Sequence, residues 1–421
     1  MWLANGLYRN TEKRLDGCCT VAKYRNPVIS LGLIICRGRF NAICEGMQPA
    51  VRRPNEKEEE MSTIQRCMFN GFVIVVAALA LVVFMVPPTL AAGFKKEYKL
   101  QVNVGPSFYW GIGATKFADL VRDKTNGQIN IKPYFGSALL KGAQLKSAQM
   151  VANGVIECAM ESTINISPVI TEANIFSLPF FINNFQNLDK IERGETGKAI
   201  FAAMESKGLK PLAWGENGFR QITNSKREIK TPQDVKGLKF RVVGSPIFID
   251  IFRQLGADPV NMNWGDATSA FQQGVVDGQE NPLPNVCIPV QIWQYHKYIT
   301  RWNYLVDPLV IYWSKKEFES FPPDIQKAIQ EAALEAGRFE IALARAGIDD
   351  GSSLKILKDE FNYTMEIPGP VAFVESKGMV VTELNEAQQK VFVDATKSLY
   401  DTWVPKIGKD IYEKAKADMA K

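Results

Sequence analysis

The amino-acid sequence predicts an α/β protein made of two lobes that share chain crossings. Strand-like and helix-like segments alternate from residue 98 to residue 277, which is typical of a mainly parallel sheet with helices on its faces. A long helical pattern follows over residues 323–358. At 1.5 Å per residue it would span roughly 50 Å, more than the width of one small lobe. We therefore expect this helix to lie across both lobes.

The first set of elements reads strand, helix, strand, helix, strand. The predicted ranges are 98–104, 110–125, 129–135, 142–153 and 156–160. The first strand alternates with period two, and the first helix places Phe117 and Val121 on an apolar face. The apolar segment 176–181 contains Pro179, which argues against a central strand.

The second set of elements starts near residues 209–214. Thr231 suits an N-cap and Pro232 the first helical position, so a short helical turn is predicted there. A strand over 238–243 and helices over 246–255 and 266–273 follow. Because no internal repeat or low-complexity linker separates the two sets, we expect the lobes to be interleaved.

The charge of the chain is unevenly distributed. Of 50 Lys+Arg and 45 Asp+Glu residues, 11 and 7 precede residue 93, which leaves 39 and 38 for the rest. A nearly neutral body without a basic block lacks the electrostatic footprint of a nucleic-acid-binding protein. We therefore predict no nucleic-acid partner.

The front of the chain has the pattern of a processing segment. The apolar run 72–86 follows Arg66 and precedes small residues at 91–93, an arrangement typical of a secretory signal peptide. The run is shorter than the roughly 20 apolar residues that span a bilayer, and a retained membrane anchor is the alternative. Residues 1–60 show no sustained periodicity. We predict that they are a mis-annotated upstream extension, that 61–92 is the signal peptide, and that the mature chain begins near Gly93.

The mature chain carries few residue types suited to metal binding or catalysis. Its two cysteines, Cys158 and Cys287, are interpreted as small buried apolar residues, with a disulfide as the alternative in an oxidising compartment. The lone histidine, His296, lies among aromatic residues and is interpreted as structural or exposed. Because no second His or Cys stands at ligand spacing and no P-loop or nucleophile motif occurs, we predict neither a metal nor a cofactor.

Arg241 is the main candidate for ligand binding. It lies in the predicted strand 238–243, opposite to the apolar side chains and near the carboxyl end, which faces the ligand crevice in open α/β sheets. A buried guanidinium is costly unless it is paired, and its planar fork fits a carboxylate in two parallel hydrogen bonds. The residues alone leave two partners open: the carboxylate of a ligand, or a carboxylate of the protein such as Asp277 or Glu280.

Three segments within residues 217–286 carry a family resemblance. They read Gly-Phe-Arg-Gln-Ile-Thr-Asn from Gly218, Thr-Pro-Gln-Asp-Val-Lys-Gly-Leu-Lys-Phe-Arg-Val from Thr231, and Val-Asp-Gly-Gln-Glu-Asn-Pro-Leu from Val276. In this order and spacing they resemble the DctP-type solute-binding proteins of TRAP (tripartite ATP-independent periplasmic) transporters, and the resemblance extends over 96–421. It implies a two-lobed periplasmic binding protein (type II-like) with a long helix spanning both lobes.

The resemblance also implies domain boundaries and site residues. Residues 93–216 would form mainly the first lobe, 217–310 mainly the second, and 311–421 a crossing strand, the long helix and C-terminal helices shared by both. The resemblance implies that Arg241 grips the ligand carboxylate and that Arg220 is a second arginine in the cleft. It also implies a polar contact from Asn281 and an aromatic wall from Trp264. The contacts that it implies from the first lobe are Ser107, Glu161 and Asn165.

The region around this implied site is rich in aromatic residues, at 108–110, Trp264 and 302–304. Such side chains could stack on a ring or on a planar 2-oxo acid, or they could serve core and hinge packing. Trp264 is the residue that we assign to the ligand.

The predicted function is an extracytoplasmic solute-binding protein, not an enzyme. It would capture a small organic acid in the interlobe cleft and deliver it to the permease subunits of a TRAP transporter. The expected ligands are C4-dicarboxylates, sugar acids, or aliphatic or aromatic 2-oxo acids. The alternatives are a periplasmic enzyme acting on a small carboxylic acid, with Glu161 or Glu280 as acid–base, and the ligand-sensing subunit of a receptor.

Overall fold

The structure is a computed structural model that describes residues 93–365 and 369–421. The predictions for 1–60 and 61–92 lie outside these ranges. The described residues belong to one compact unit of the chain. No helix within this part of the chain is long and apolar enough to cross a membrane.

The described chain alternates between strands and helices. The strands are β1 Tyr98–Val102, β2 Ile131–Tyr134, β3 Cys158–Ser162, β4 Leu209–Asn224, β5 Lys239–Val242, β6 Asp258–Asn261, β7 Gly278–Pro282, β8 Tyr298–Arg301, β9 Val306–Ser314 and β10 Val380–Glu383. The α-helices are α1 Tyr109–Lys124, α2 Ser147–Ala152, α3 Thr163–Ile166, α4 Phe185–Arg193, α5 Glu195–Ser206, α6 Pro232–Val235, α7 Pro246–Gln254, α8 Trp264–Gln272, α9 Lys315–Phe318, α10 Pro323–Arg345, α11 Ser352–Phe361, α12 Pro370–Ser376, α13 Glu386–Thr396, α14 Leu399–Ile407 and α15 Lys409–Ala420. Tight 3₁₀ turns cover Ala138–Leu140, Gln144–Lys146, Thr171–Ser177 and Ile292–Gln294, and a π-helical turn covers Leu283–Cys287.

The sheet consists of two parallel groups joined by antiparallel strands. Its order is β2-β1-β3-β9-β4-β7-β5-β6, with β8 and β10 extending from β4. Strands β1, β2 and β3 pair in parallel, as do β5, β6 and β7. Both β9 and β4 run antiparallel to all of their neighbours in this order. The predicted α/β class with parallel pairing is therefore confirmed within each group, and the shared crossings are the β9–β4 pair.

Strand β4 is longer than the sequence pattern predicts. The expected strand at 209–214 continues without a break from Leu209 to Asn224. It runs through position 216–217, where we predicted the boundary between the lobes. Gly218, with a φ of +103°, accommodates an irregularity in its pairing with β9, because only glycine adopts such a backbone readily. One strand thus connects the two parallel groups.

The long helix is shorter than predicted. Helix α10 ends at Arg345 instead of continuing to Lys358, so it spans about 34 Å. The chain turns at Gly347 and Gly351, both with positive φ, and resumes as α11. The apolar sequence pattern continues beyond the end of α10 because Leu357 of α11 packs back on Phe339 and Leu343 of α10. The 23-residue helix nevertheless packs on α1 and β4 and reaches the π turn.

Several smaller predictions can be compared directly with the structure. The predicted helix over 142–153 is a 3₁₀ turn followed by the short helix α2. The segment 176–181 is not a central strand, as its proline indicated. The cap at Thr231 forms a reciprocal capping box with Asp234. Cys158 and Cys287 are both buried and free, which confirms their interpretation as apolar residues.

A buried carboxyl joins α10 to the crossing strand. Glu340 is fully buried. One of its oxygens accepts from the backbone N–H of Glu216 at 2.6 Å, and the other accepts from Asn285 Nδ2 in the π turn at 3.4 Å. The pKa of Glu340 is raised to about 8, mainly by burial and to a lesser extent by the neighbouring Glu216 carboxylate, while the two hydrogen bonds and Arg345 oppose the rise. The group therefore retains its proton in the folded protein over much of the physiological range.

We expect Glu340→Gln to remove a pH dependence of stability. The carboxyl has a pKa of 4.5 in the unfolded chain and about 8 in the fold. Its stabilising contribution is complete below pH 4.5 and is lost as the pH rises towards 8. The free energy of unfolding of the variant, relative to wild type, should therefore increase by up to about 4 kcal/mol across this window. Urea denaturation at several pH values measures it, and parallel pH profiles for the two proteins would contradict the assignment.

Candidate functional site

Strand ends from both halves of the sheet surround a common cavity. Asn103 follows β1 and Ser162 ends β3, while Arg241 lies near the end of β5 and Asn281 near the end of β7. The empty space between the lining residues, including the part that is open to solvent, is about 370 Å³. The lining residues are Asn103, Val104, Trp110, Gln144, Ser162, Ile164, Asn165, Asn217, Arg220, Arg241, Val243, Trp264, Asn281, Val286 and Asp307.

Arg241 is a buried cation that forms no ion pair with any of the described residues. Only 1% of it is exposed, because its neighbours in β5 pack into the core on the other side of the sheet. Its Nε donates to the Met262 carbonyl at 3.0 Å, and its Nη2 has no partner among the described residues. Burial lowers the pKa of Arg241 to about 10, which still leaves it charged at neutral pH. The Nη1–Nη2 fork is therefore available to an anion.

The protein carboxylates considered for Arg241 have other partners. Asp277 faces Lys226 at 3.3 Å and accepts from the backbone N–H of Lys239 at 2.9 Å. Glu280 is held by Arg220. The internal pairing of Arg241 with Asp277 or Glu280 is therefore wrong.

Arg220 lines the same cavity but is already neutralised. Its Nη2 donates to Glu280 Oε1 at 2.8 Å and to the Glu280 carbonyl at 2.7 Å, and its Nε donates to Glu280 Oε2. Its Nη1 donates to Asp307 Oδ2 at 2.9 Å. Burial alone would lower the pKa of Arg220, but these two carboxylates raise it above its usual value. This cluster joins β4, β7 and β9 at the floor of the cavity.

Trp264 forms one wall of the cavity. Its ring lies 5.4 Å from the Arg241 guanidinium carbon and meets Phe108 edge-on at 6.3 Å. The backbone N–H of Trp264, at the start of α8, donates to Gln144 Oε1 at 2.7 Å. Because Gln144 belongs to the chain between β2 and β3, this hydrogen bond joins the two parallel groups across the cavity. Trp110 also lines the cavity, and its Nε1 donates to the Met160 carbonyl at 2.9 Å.

The three implied contacts from the first lobe differ in position. Asn165 lines the cavity and accepts from Gln144 Nε2 at 2.9 Å. Glu161 lies behind the lining, where Asn103 donates to it at 2.7 Å and Asn165 at 3.2 Å. Burial raises the pKa of Glu161 well above its usual value. Ser107 is exposed in the turn before α1 and does not line the cavity, so its assignment as a contact needs correction. The next residue, Phe108, turns inward instead.

The residues assigned to the second lobe lie together. Arg241, Arg220, Trp264 and Asn281 all line the cavity. The Nδ2 of Asn281 donates to Gln279 Oε1 beside it on β7. The second-lobe contacts that the family resemblance implies are thus neighbours in space.

Several lining residues were missed by the sequence reasoning. Asn103 and Ser162 stand at the carboxyl ends of parallel strands, and the rule that found Arg241 could have found them too. Gln144 lies in a turn that we predicted as helix, and Asn217 and Asp307 lie on the antiparallel crossing strands. For these, the local sequence pattern carries no signal.

Other candidate residues serve the core. Trp302 and Tyr304 are buried and stack on each other, with their ring centroids 4.2 Å apart. Neither residue lines the cavity. His296 is buried, with its Nδ1 bonded to Thr223 at 2.8 Å. Burial lowers the pKa of His296 to about 3, so the ring stays neutral. The structural interpretation of His296 is confirmed. Within the described ranges, no group of three or more His, Cys, Asp and Glu residues is arranged to hold a metal ion.

The chain is similar in sequence to known bacterial solute-binding proteins. The profile of bacterial extracellular solute-binding proteins, family 7 (DctP), matches residues 101–354. The 2,3-diketo-L-gulonate-binding periplasmic protein YiaO of Escherichia coli is 32% identical over 229 residues, covering 54% of this chain and 69% of that protein. The C4-dicarboxylate-binding periplasmic protein DctP of Rhodobacter capsulatus is 29% identical over 287 residues, covering 68% and 83%.

Solved structures show the same similarity. A TRAP periplasmic solute-binding protein from Ralstonia eutropha, with bound (S)-2-acetolactate, is 43% identical with a TM-score of 0.71, over 78% of this chain and 99% of that one. Another from Roseobacter denitrificans, with bound β-D-glucuronate, is 26% identical with a TM-score of 0.67, over 77% and 99%. These neighbours confirm the predicted two-lobed fold.

We expect the two buried arginines to differ in their effect on stability. Arg220→Met would leave Glu280 and Asp307 buried without their cation, which should lower the free energy of unfolding by about 3–5 kcal/mol. Arg241→Met removes a buried charge that has no internal partner, so stability should stay equal or rise. Urea denaturation of ligand-free protein, prepared by unfolding and refolding, measures both. Equal losses in the two variants would show that Arg241 also has a structural partner.

Proposed function

Because this chain belongs to the bacterial extracellular solute-binding proteins of family 7 (DctP), we propose that it captures a small organic carboxylate between Arg241 and the opposite wall of the cavity. The observation that carries the proposal is the state of Arg241, which is buried, charged and without an internal anion. A ligand carboxylate would complete two parallel hydrogen bonds to its Nη1–Nη2 fork.

The cavity supports a bound acid in its other features. Asn103, Gln144, Asn165 and Asn217 bring amide groups to the lining of the cavity, and the amide protons and oxygen lone pairs that are not used within the protein would hydrogen-bond the polar groups of the ligand. Trp264 and Trp110 supply flat apolar walls. Solved neighbours carry (S)-2-acetolactate and β-D-glucuronate, which both contain a carboxylate. A small hydroxy or oxo acid suits this lining.

Ligand capture would be coupled to closure of the lobes. The contacts come from both parallel groups, and a ligand that bridges them stabilises the closed arrangement over the open one. The hydrogen bond from Trp264 to Gln144 already crosses the cavity at 2.7 Å. Delivery to the membrane permease of a TRAP transporter, export by the segment 61–92 and maturation near Gly93 are further parts of the proposal.

We also propose that the protein is not an enzyme. The two carboxyls considered as acid–base are engaged elsewhere: Glu280 accepts from Arg220 and from Tyr304 Oη at 2.7 Å, and Glu161 lies behind Asn103 and Asn165. The cavity lining within the described residues contains neither His, Cys nor Lys. This leaves little to transfer a proton or attack a bound acid.

In a thermal-shift screen of the protein comprising residues 93–421, we expect small carboxylic acids to raise the melting temperature. We expect this rise to disappear in Arg241 variants. A ligand at 100 times its dissociation constant stabilises by about 2.7 kcal/mol, which raises the melting temperature by a few degrees. Arg241→Ala should weaken binding by roughly two to four decades, because it removes the charged partner of a buried anion. Arg241→Lys should also weaken it, since the planar fork is lost.

The matched control is Arg253→Ala, which removes an exposed arginine from α7 in the same half of the molecule and should leave the shift unchanged. Calorimetric titration then measures affinity in each variant. Mass spectrometry of the denatured wild-type protein would reveal any acid that was co-purified. Unchanged affinity in both Arg241 variants would overturn the proposal.

A further inference from the structure

The number of negative charges that the cavity can accept follows from how its own charges are arranged. Among the described residues, the charged groups that line it are Arg241, Arg220 and Asp307, with Glu280 directly behind Arg220. Two guanidiniums face two carboxylates, so the cavity is electrically neutral before a ligand enters. Only Arg241 lacks a protein anion.

Asp307 is held as a carboxylate by three donors. Its oxygens accept from Arg220 Nη1 at 2.9 Å, from Asn217 Nδ2 at 2.8 Å and from Ser162 Oγ. Burial raises the pKa of Asp307 above its usual value, while the ion pair with Arg220 and the hydrogen bonds from Asn217 and Ser162 oppose this rise because they favour the ionised form. Asp307 therefore presents a fixed negative charge on the cavity floor, at the place where a second ligand anion would otherwise reach Arg220.

The donors of Arg220 are almost fully used. Its Nε and both Nη2 protons go to Glu280, and one Nη1 proton goes to Asp307. A single Nη1 N–H is left for a ligand. It can donate to an uncharged hydroxyl or carbonyl oxygen, but it does not offer the two-pronged fork that an added carboxylate would require.

We infer that the cavity selects acids with one carboxylate, because Asp307 and Glu280 occupy the second arginine as built-in anions. A monoacid would place its carboxylate on Arg241 and an uncharged polar or apolar end over Arg220, Asp307 and Trp264. A dicarboxylate of the same length would bring its second charge against Asp307 with no free cation to receive it. This inference rests on the proposed function, which leaves the number of ligand charges open.

The probes that test it are three acids sharing one skeleton: (S)-2-hydroxybutanoate, (S)-malate and the malate derivative whose distal carboxyl is an amide. The amide matches malate in size and differs in charge, so it separates the two effects. We expect calorimetric titration of residues 93–421 to give similar affinities for the monoacid and the amide, and an affinity for malate at least about 30-fold weaker.

Asp307→Asn tests the residue itself. The change returns part of the Arg220 charge to the cavity, so malate should gain about tenfold relative to the amide. The matched control is Asp277→Asn, which makes the same chemical change outside the cavity lining and should leave the ratio as in wild type. Circular dichroism and the melting temperature of each ligand-free variant check its fold. If a variant is unstable, the affinities of the wild-type protein for malate and for the amide still test the selection for one charge.

The possible outcomes separate this inference from the proposed function. Malate binding as tightly as the amide, or more tightly, in wild type would overturn the single-charge selection and leave carboxylate capture standing. A folded Asp307→Asn variant whose malate-to-amide ratio is unchanged would remove Asp307 as its source. Absence of binding by all three acids and by 2-acetolactate would contradict the proposed function and this inference with it.

Discussion

The architecture of the site depends on a buried positive charge that the protein does not neutralise. Only 1% of Arg241 is exposed, and its Nε donates to a backbone carbonyl instead of a carboxylate. Such a charge destabilises the ligand-free fold, and the same deficit favours binding of an anion. Arg220, exposed to 2%, shows that this chain can satisfy a buried guanidinium when its role is structural. Under the proposed function, Arg241 would therefore bind the ligand, whereas Arg220 stabilises the fold.

The crossing strands make this contrast possible. Arg220 lies on β4, Asp307 on β9 and Glu280 on β7, and their antiparallel pairing brings the three side chains together in the centre of the sheet. Above them, Glu340 of α10 accepts from β4 and from the π turn, while Arg345 pairs with Glu216 at 2.6 Å and Asp189 at 2.7 Å. The three strands of the floor are thus tied to α10, to the π turn and to α4. Across the cavity, the hydrogen bond between Gln144 and Trp264 joins the two parallel groups.

Local patterns predicted what depends on local physics. The alternation of strands and helices, the cap at Thr231 and the orientation of Arg241 follow from periodicity and from the two faces of a strand, and each is found in the structure. The end of α10 was mispredicted because Leu357 continues an apolar period that tertiary packing folds back on Leu343. Asp307 and Asn217 could not be found from the sequence, because only the antiparallel pairing of β4 with β9 brings them beside Arg220. Ser107 was assigned from a loop, where the resemblance aligns least well.

The division of charge also determines where selectivity resides. Attraction between Arg241 and a carboxylate is common to every organic acid, so it provides affinity without distinguishing one acid from another. Discrimination must come from groups that respond to the rest of the ligand, because a buried polar group left without a partner disfavours the wrong compound. In the proposed site those groups would be the amides of Asn103, Asn165 and Gln144 and the carboxylate of Asp307. Changes at these positions would alter which acid is bound while Arg241 keeps the same task.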